Sequence, residues 1–302
     1  MSILDPTLNF KPLESALVRH SLAKHPLLQM PRLLELALQL PPEQLRYYSG
    51  CQIPVTQNFE TVAKTYPNGL SLEETLRHME TAGSYVFLRK VHTHPLYRDL
   101  MNEVVEDIEA LIHKSSIGAI AGKKVKPQVE RAEAWVFISS PGAVTPYHRD
   151  HESNFLLQIS GKKNVNVWNP LDRSVCPEEE SEFLHGEHSL EKTLYGPDYQ
   201  PKAIVYELSA GQGAFMPFTA PHWVKNGDEV SISMSITYHT QETDRIRNIY
   251  RMNHALRKRG MTPNTVGQSP LLDSAKYLAY RNLLKAKRAL NRSAYSDPAT
   301  YL

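Results

Sequence analysis

Val144-Thr145-Pro146-Tyr147-His148-Arg149-Asp150-His151-Glu152-Ser153-Asn154-Phe155-Leu156-Leu157-Gln158-Ile159 is the stretch on which the fold turns. Strand-like apolar runs flank its centre, at 135–139 upstream and 155–159 downstream. In an extended strand residues two apart project from one side, so His148 and Asp150 can grip a single ion together. His222, in Pro221-His222-Trp223, completes the triangle from another strand. Two neutral imidazoles and one carboxylate on one face of an octahedral ion leave three positions open, the arrangement of non-haem Fe(II) oxygenases. Zinc more often closes such a site tetrahedrally.

The motif needs its context. With 13 His and 32 acidic residues in 302 positions, His-x-Asp/Glu is expected about 1.4 times by chance. Three copies occur. His78-Met79-Glu80 lies in a helical pattern, where residues two apart point about 200° apart and cannot share an ion. His185-Gly186-Glu187, beside His188, sits in a polar stretch at 177–190 without strand alternation, so it reads as an adventitious local site at most. Only His148 and Asp150 have strand signals on both sides.

A lysine in an inward phase is the second signal. After the turn residues Ser160-Gly161-Lys162 comes Lys163-Asn164-Val165-Asn166-Val167, in which Lys163 shares the phase of Val165 and Val167. If the valines face an interior, so does the ammonium, and an unpaired buried lysine is costly enough to call for an anionic partner. A dicarboxylate co-substrate would supply one. The alternative is a strand-end lysine that snorkels to solvent.

The stretch 144–163 resembles the core of the JmjC/cupin-type 2-oxoglutarate oxygenases, nearest the asparaginyl hydroxylase branch. The likeness combines the metal pair, Asn154-Phe155, Gln158-Ile159-x-Gly161 and a lysine fifteen residues after His148. It covers residues 130–240 well and the flanks only in general layout. It implies a mainly β core, a double-stranded β-helix (cupin/jelly-roll) barrel flanked by N-terminal and C-terminal helical segments. It implies His148, Asp150 and His222 as ligands of Fe(II), with Lys163 and Thr145 clamping the distal carboxylate of 2-oxoglutarate. Asn154 would lie near the chelating end and Phe137 would form an apolar wall. The implied reaction consumes dioxygen and 2-oxoglutarate, hydroxylates a C–H bond and releases succinate and CO2. One departure matters: where asparaginyl hydroxylases carry an asparagine on the last core strand, this chain has Ser235. Ser231, Ser233, Ser235 and Thr237 alternate with Val230, Ile232, Met234, Ile236 and Tyr238, a strong strand signal. Its polar face lines the cavity or meets water, and the resemblance, which implies an outer helical layer over the apolar face, favours the cavity.

Length and composition fit one elaborated domain. Apolar residues make up 41% and charged residues 22%, the make-up of an ordinary globular protein. No apolar run approaches a membrane span, and the N-terminus lacks the basic and apolar regions of a secretory signal. Cys51 and Cys176 form no disulfide framework, so a cytoplasmic location, which also keeps iron ferrous, is the expectation. The chain divides into an N-terminal, mainly helical flank with strands joining the sheet (1–130), the barrel core (131–241) and a basic helical segment (242–302). The flank carries a capping box at Ser71-Leu72-Glu73-Glu74 and an amphipathic helix over 95–114. Lysines at 122–127 read as a solvated turn. The acidic run Glu178-Glu179-Glu180-Ser181-Glu182 reads as a rim loop or lid, or as plain solvated surface.

From Asp244 onward, basic residues outnumber acidic ones although the overall net charge is +2. Nucleic-acid contact is one reading of Arg245, Arg251, Arg257, Lys258, Arg259, Arg288 and Arg292. A packing or dimerising helix is the better one, because Leu271, Leu272, Ala275, Leu278, Ala279 and Leu283 supply an apolar stripe. The related hydroxylases dimerise through C-terminal helices, which implies a homodimer. Trp223, Tyr147 and Arg149 border the metal pair and either touch substrate or serve packing. Three functions are open: a hydroxylase of a protein side chain or small molecule, a cupin metalloenzyme that does not use 2-oxoglutarate, and a non-catalytic regulatory or binding protein.

Overall fold

A computed structural model describes residues 2–116 and 129–290. The lysine turn at 122–127 and Arg292 lie outside them. Eleven strands form two antiparallel sheets. They are β1 (Ala16–Arg19), β2 (Leu45–Ser49), β3 (Ser84–Leu88), β4 (Val129–Ser139), β5 (Val144–Arg149), β6 (Ser153–Ser160), β7 (Lys163–Val167), β8 (Ile204–Leu208), β9 (Gln212–Met216), β10 (Pro221–Asn226) and β11 (Ser231–Thr240). The larger sheet has the order β1-β9-β6-β11-β4-β3-β2 and the smaller one β5-β10-β7-β8. From β4 to β7 and again from β8 to β11 successive strands alternate between the sheets, giving the jelly-roll core, while β1 to β3 extend the larger sheet. The helices are α1 (Met30–Gln39), α2 (Val62–Thr65), α3 (Leu72–Arg77), α4 (Pro95–Ser116), α5 (Glu178–Glu187), α6 (Gln241–Arg257) and α7 (Pro270–Leu290).

The alternation in β11 accounts for both faces of the larger sheet. Ile232, Met234, Ile236 and Tyr238 pack with Leu33, Leu36 and Ala37 of α1 and Val104, Ile108 and Leu111 of α4 in one apolar cluster. Met234 and Ile236 are fully buried, each burial contributing about 1.5–3 kcal/mol. The polar face turns inward and is also buried. Ser231 and Ser233 hydrogen-bond the Gln158 side chain, and Ser235 and Thr237 line the cavity between the sheets.

Gly161 reverses the chain between β6 and β7 at φ 73°, in the left-handed region. A Cβ there would lie 2.4 Å from the Val230 carbonyl oxygen. Gly161→Ala is therefore expected to cost at least about 1–3 kcal/mol, the penalty for a non-glycine residue in this conformation, before any clash is counted. Urea unfolding measures it, and an unchanged midpoint refutes it.

The acidic run is neither a loop nor plain solvated surface. It forms α5, whose Glu182 and His185 are fully buried. Glu182 pairs with Arg257 of α6, which also reaches Glu179, and Glu187 pairs with His254 and Lys258. The acidic residues thus find partners in the basic segment, and the opposed charges join the two helices. His185 and Glu187 have different surroundings: the ring of His185 stacks on Phe218 and Tyr250, with centroids at 5.2 and 5.6 Å, while Glu187 faces His254 and Lys258. The capping box at Ser71 and Glu74 is present, but its helix ends at Arg77.

Candidate metal centre

His148 and His222 face one another across the β5–β10 pair. Each ring is anchored from behind. His148 Nδ1 lies 2.8 Å from the Pro146 carbonyl oxygen, and His222 Nδ1 lies 3.0 Å from that of Ala220. A carbonyl can only accept, so each Nδ1 carries the proton and each Nε2 presents a lone pair. Both Nε2 atoms lie 3.9 Å from an Asp150 carboxylate oxygen. One ligand atom from each of the three residues falls within 4.8 Å of the others, and all three residues are buried. Burial, then the neighbouring His222, holds the His148 imidazole well below its ordinary value, so the ring is neutral. This donor set fits a divalent metal with open positions.

Asp150 is itself held. Asn154 Nδ2 donates to its Oδ2 at 2.9 Å, and the Ser235 hydroxyl donates to Asn154 Oδ1. Ser235 thus stands two hydrogen bonds from the Asp150 carboxylate, a place that its position on β11 brings about through pairing with β6.

The eight residues to which the resemblance drew attention, Phe137, Thr145, His148, Asp150, Asn154, Lys163, His222 and Ser235, line one cavity with an empty volume of about 640 Å³, part of it open to solvent. Thr145 and His148 are three residues apart and would face opposite sides of a regular strand. They share the cavity because β5 bulges: between their partners Val224 and His222 there is one residue, against two in β5. The extra residue reverses the side-chain phase.

Lys163 lies at the other end, 2% exposed. Burial pushes its ammonium from 10.5 down to about 7. Among the described residues no carboxylate forms an ion pair with it. The Thr145 hydroxyl is buried, and Tyr85, whose phenol burial pushes up to about 12 while a hydrogen bond with Thr145 acts the other way, lines the same cavity. The snorkelling alternative for Lys163 does not hold.

The shifted lysine has a testable sign. Below about pH 7 Lys163 is protonated in both the folded and unfolded chain, and its burial cost is fully present. Between about 7 and 10.5 the unfolded chain holds a proton that the folded chain has released, so stability rises with pH. Lys163→Met is expected to be more stable than the parent at pH 7, with the gap closing toward pH 10. Urea unfolding across that range checks it, and a constant gap would refute it.

Phe59, Tyr85, Trp135 and Glu152 are among the wall residues that sequence reasoning missed. Phe59 stacks on His148 with centroids 4.1 Å apart and planes 13° apart. Burial, then the charge of Asp150, raises the Glu152 acid to about 8, and one of its oxygens lies 3.4 Å from His239 Nε2. The strand repeat could have marked Trp135, which stands two residues before Phe137 in β4, and Tyr85 by its inward phase in β3. Conversely, Tyr147, Arg149 and Trp223 do not line the cavity. Tyr147 packs with Trp168 and Tyr195, Trp223 donates to Gln200, and Arg149 is buried among hydrogen-bond partners.

Residues 55–244, more than half of the chain, match the family model described as the cupin-like domain. The chain belongs to the cupin-like domain family. This cupin-like chain is 37% identical to mouse tRNA wybutosine-synthesizing protein 5 over 87 residues, 26% of each chain. It is 28% identical to lysine-specific demethylase 8 of Danio rerio over 104 residues, 32% of this chain and 24% of that protein. The matched stretch thus spans about a quarter of each curated relative. Among solved structures, the Escherichia coli ribosomal oxygenase YcfD aligns with a TM-score of 0.42 at 14% identity, covering 89% of this chain and 63% of that one.

Proposed function

We propose that this chain is an Fe(II)- and 2-oxoglutarate-dependent oxygenase that hydroxylates an unactivated C–H bond of a protein side chain or small molecule. The carrying observation is that one cavity joins three convergent metal-capable side chains to a buried ammonium that has no ion-pair partner among the described residues. His148, Asp150 and His222 hold the metal. Lys163, with the hydroxyls of Thr145 and Tyr85, receives the distal carboxylate of 2-oxoglutarate. Asn154 and Ser235 keep Asp150 in place, while Phe59, Phe137 and Leu156 form apolar wall that excludes water. Bound Fe(II) supplies the redox chemistry by which dioxygen converts 2-oxoglutarate to succinate and CO2 and hydroxylates the substrate.

Anaerobic titration with Fe(II) and then 2-oxoglutarate tests the reading. A metal-to-ligand charge-transfer band is expected when the keto acid chelates. Iron uptake without that band would sink the use of 2-oxoglutarate. The lysine adds a further expectation: above about pH 7 the free enzyme must take up a proton to bind the dicarboxylate. Affinity for 2-oxoglutarate should therefore fall as pH rises from 7 to 9, by up to about tenfold per unit. Calorimetry in two buffers of different ionisation enthalpy measures that proton uptake.

The division into an N-terminal flank, a barrel at 131–241 and a basic C-terminal segment is part of the same proposal, as are a cytoplasmic location and a homodimer. Leu271, Leu272, Leu278 and Leu283 of α7 are exposed, which supports the dimer. Nucleic-acid binding by this segment is disfavoured by its ion pairs, since Arg247, Arg257, Lys258 and Lys276 all face acidic partners. Among the described residues no helix is long and apolar enough to cross a membrane.

A further inference from the structure

Arg149 stands between two proposed metal ligands in sequence, yet its side chain leaves the cavity. It is 1% exposed. Its Nε donates to the Thr219 carbonyl oxygen at 2.9 Å and its Nη2 to the Ser181 hydroxyl of α5 at 2.8 Å. Its Nη1 is buried with no hydrogen-bond partner among the described residues, so the residue is not explained by a full set of contacts. A buried guanidinium is costly, and its two made bonds indicate what it is there to hold.

One of those bonds meets a strained turn. The Ala220 amide donates to the Pro217 carbonyl oxygen at 2.9 Å, closing a four-residue turn whose third position, Thr219, has φ 61°. Type II turns place glycine or asparagine there, and a β-branched residue at positive φ is an outlier. The carbonyl that Arg149 grips is that of the strained residue itself. The next carbonyl, that of Ala220, accepts from His222 Nδ1. Pro221, between Ala220 and His222, pairs with Arg149 in the β5–β10 ladder. A continuous path therefore runs from the Arg149 guanidinium through Thr219 and Ala220 to the His222 ring.

We propose that Arg149 is a positioning residue that clamps the Pro217–Ala220 turn in its strained form, so that the Ala220 carbonyl holds His222 with Nδ1 protonated and Nε2 facing the cavity. The role rests on the reading of His222 as a metal ligand. Strain of this kind persists only where surrounding contacts over-determine it, and Arg149 is that contact. Glycine at position 219 takes the same φ without strain and needs no clamp. Outer contacts that fix a ligating histidine are typically worth about 10–100-fold in metal affinity.

The test compares the parent, Arg149→Met, Thr219→Gly, the double variant and Ser181→Ala. Ring nitrogen spectra of His222 are recorded on metal-free protein labelled with 15N-histidine, and each protein is titrated with Mn(II). The parent is expected to show one His222 tautomer, protonated at Nδ1. Arg149→Met should mix the tautomers and weaken Mn(II) binding by about 10–100-fold, and Thr219→Gly in that background should restore both. Ser181→Ala, which cuts only the arm to α5, should match the parent. Arg149→Lys, which retains the charge but not the Nε donor, provides the same comparison if methionine is not tolerated. A single tautomer retained in Arg149→Met or Arg149→Lys overturns the proposal, as does failure of Thr219→Gly to restore it in a folded protein. A parent with the expected tautomer pattern but no Mn(II) uptake would leave the clamp standing and sink the metal reading instead.

Discussion

Asp150→Ala is expected to remove metal binding and turnover together. The carboxylate is the only anionic group among the three convergent side chains, and the two imidazoles left behind are neutral donors without a third anchor. Losing an outer contact costs about 10–100-fold in affinity, so losing the carboxylate itself should exceed about a hundredfold. Succinate formation should fall by at least the same factor. Asn154 Nδ2 loses its acceptor at a buried position, which costs about 1–3 kcal/mol of stability. Mn(II) titration by electron paramagnetic resonance reads the first effect and urea unfolding the second. Parent-like Mn(II) affinity in the variant would show that the ion sits elsewhere.

Lys163→Met should separate the two ends of the cavity. The methionine fills similar space and carries no charge, so the metal end is untouched and Mn(II) affinity should stay at the parent level. Affinity for 2-oxoglutarate should fall, because the incoming carboxylate meets an apolar wall. Breaking one side of a buried charge pair costs about 2–5 kcal/mol, or about thirtyfold or more in the dissociation constant. At pH 7 the same variant should gain stability, since a buried ammonium without a protein partner is removed. Function lost and stability gained in one substitution would be the signature of a group kept for its ligand. Unchanged 2-oxoglutarate binding would favour a cupin metalloenzyme that does not use the keto acid.

Much of the site was legible because its signals are local. The pairing of His148 with Asp150 needs only the two-residue repeat of a strand, and the inward phase of Lys163 needs only its valine neighbours. The alternation of β11 follows from the same repeat, but which face meets the cavity was suggested by the resemblance and decided by the cover of α1 and α4 over the apolar side. The His185-Gly186-Glu187 pattern, set aside for its lack of strand alternation, lies on a helix whose histidine stacks on two aromatic rings. The acidic run was misread because its partners are basic residues some 70 to 80 positions later in the chain, and no local pattern shows them.

Strand periodicity and residue chemistry, which act over a few neighbouring positions, were enough to specify a β core, a His-Asp pair on one strand face and the valine phase of Lys163. Tertiary structure decided what depends on distant segments meeting. The bulge in β5 puts Thr145 and His148 on one side, strand pairing sets His222 opposite His148, and Phe59 arrives from outside the barrel strands to cover the ring. The turn held by Arg149 belongs with these, because a left-handed Thr219 is disfavoured by its own local energetics and exists only where the assembled fold holds it.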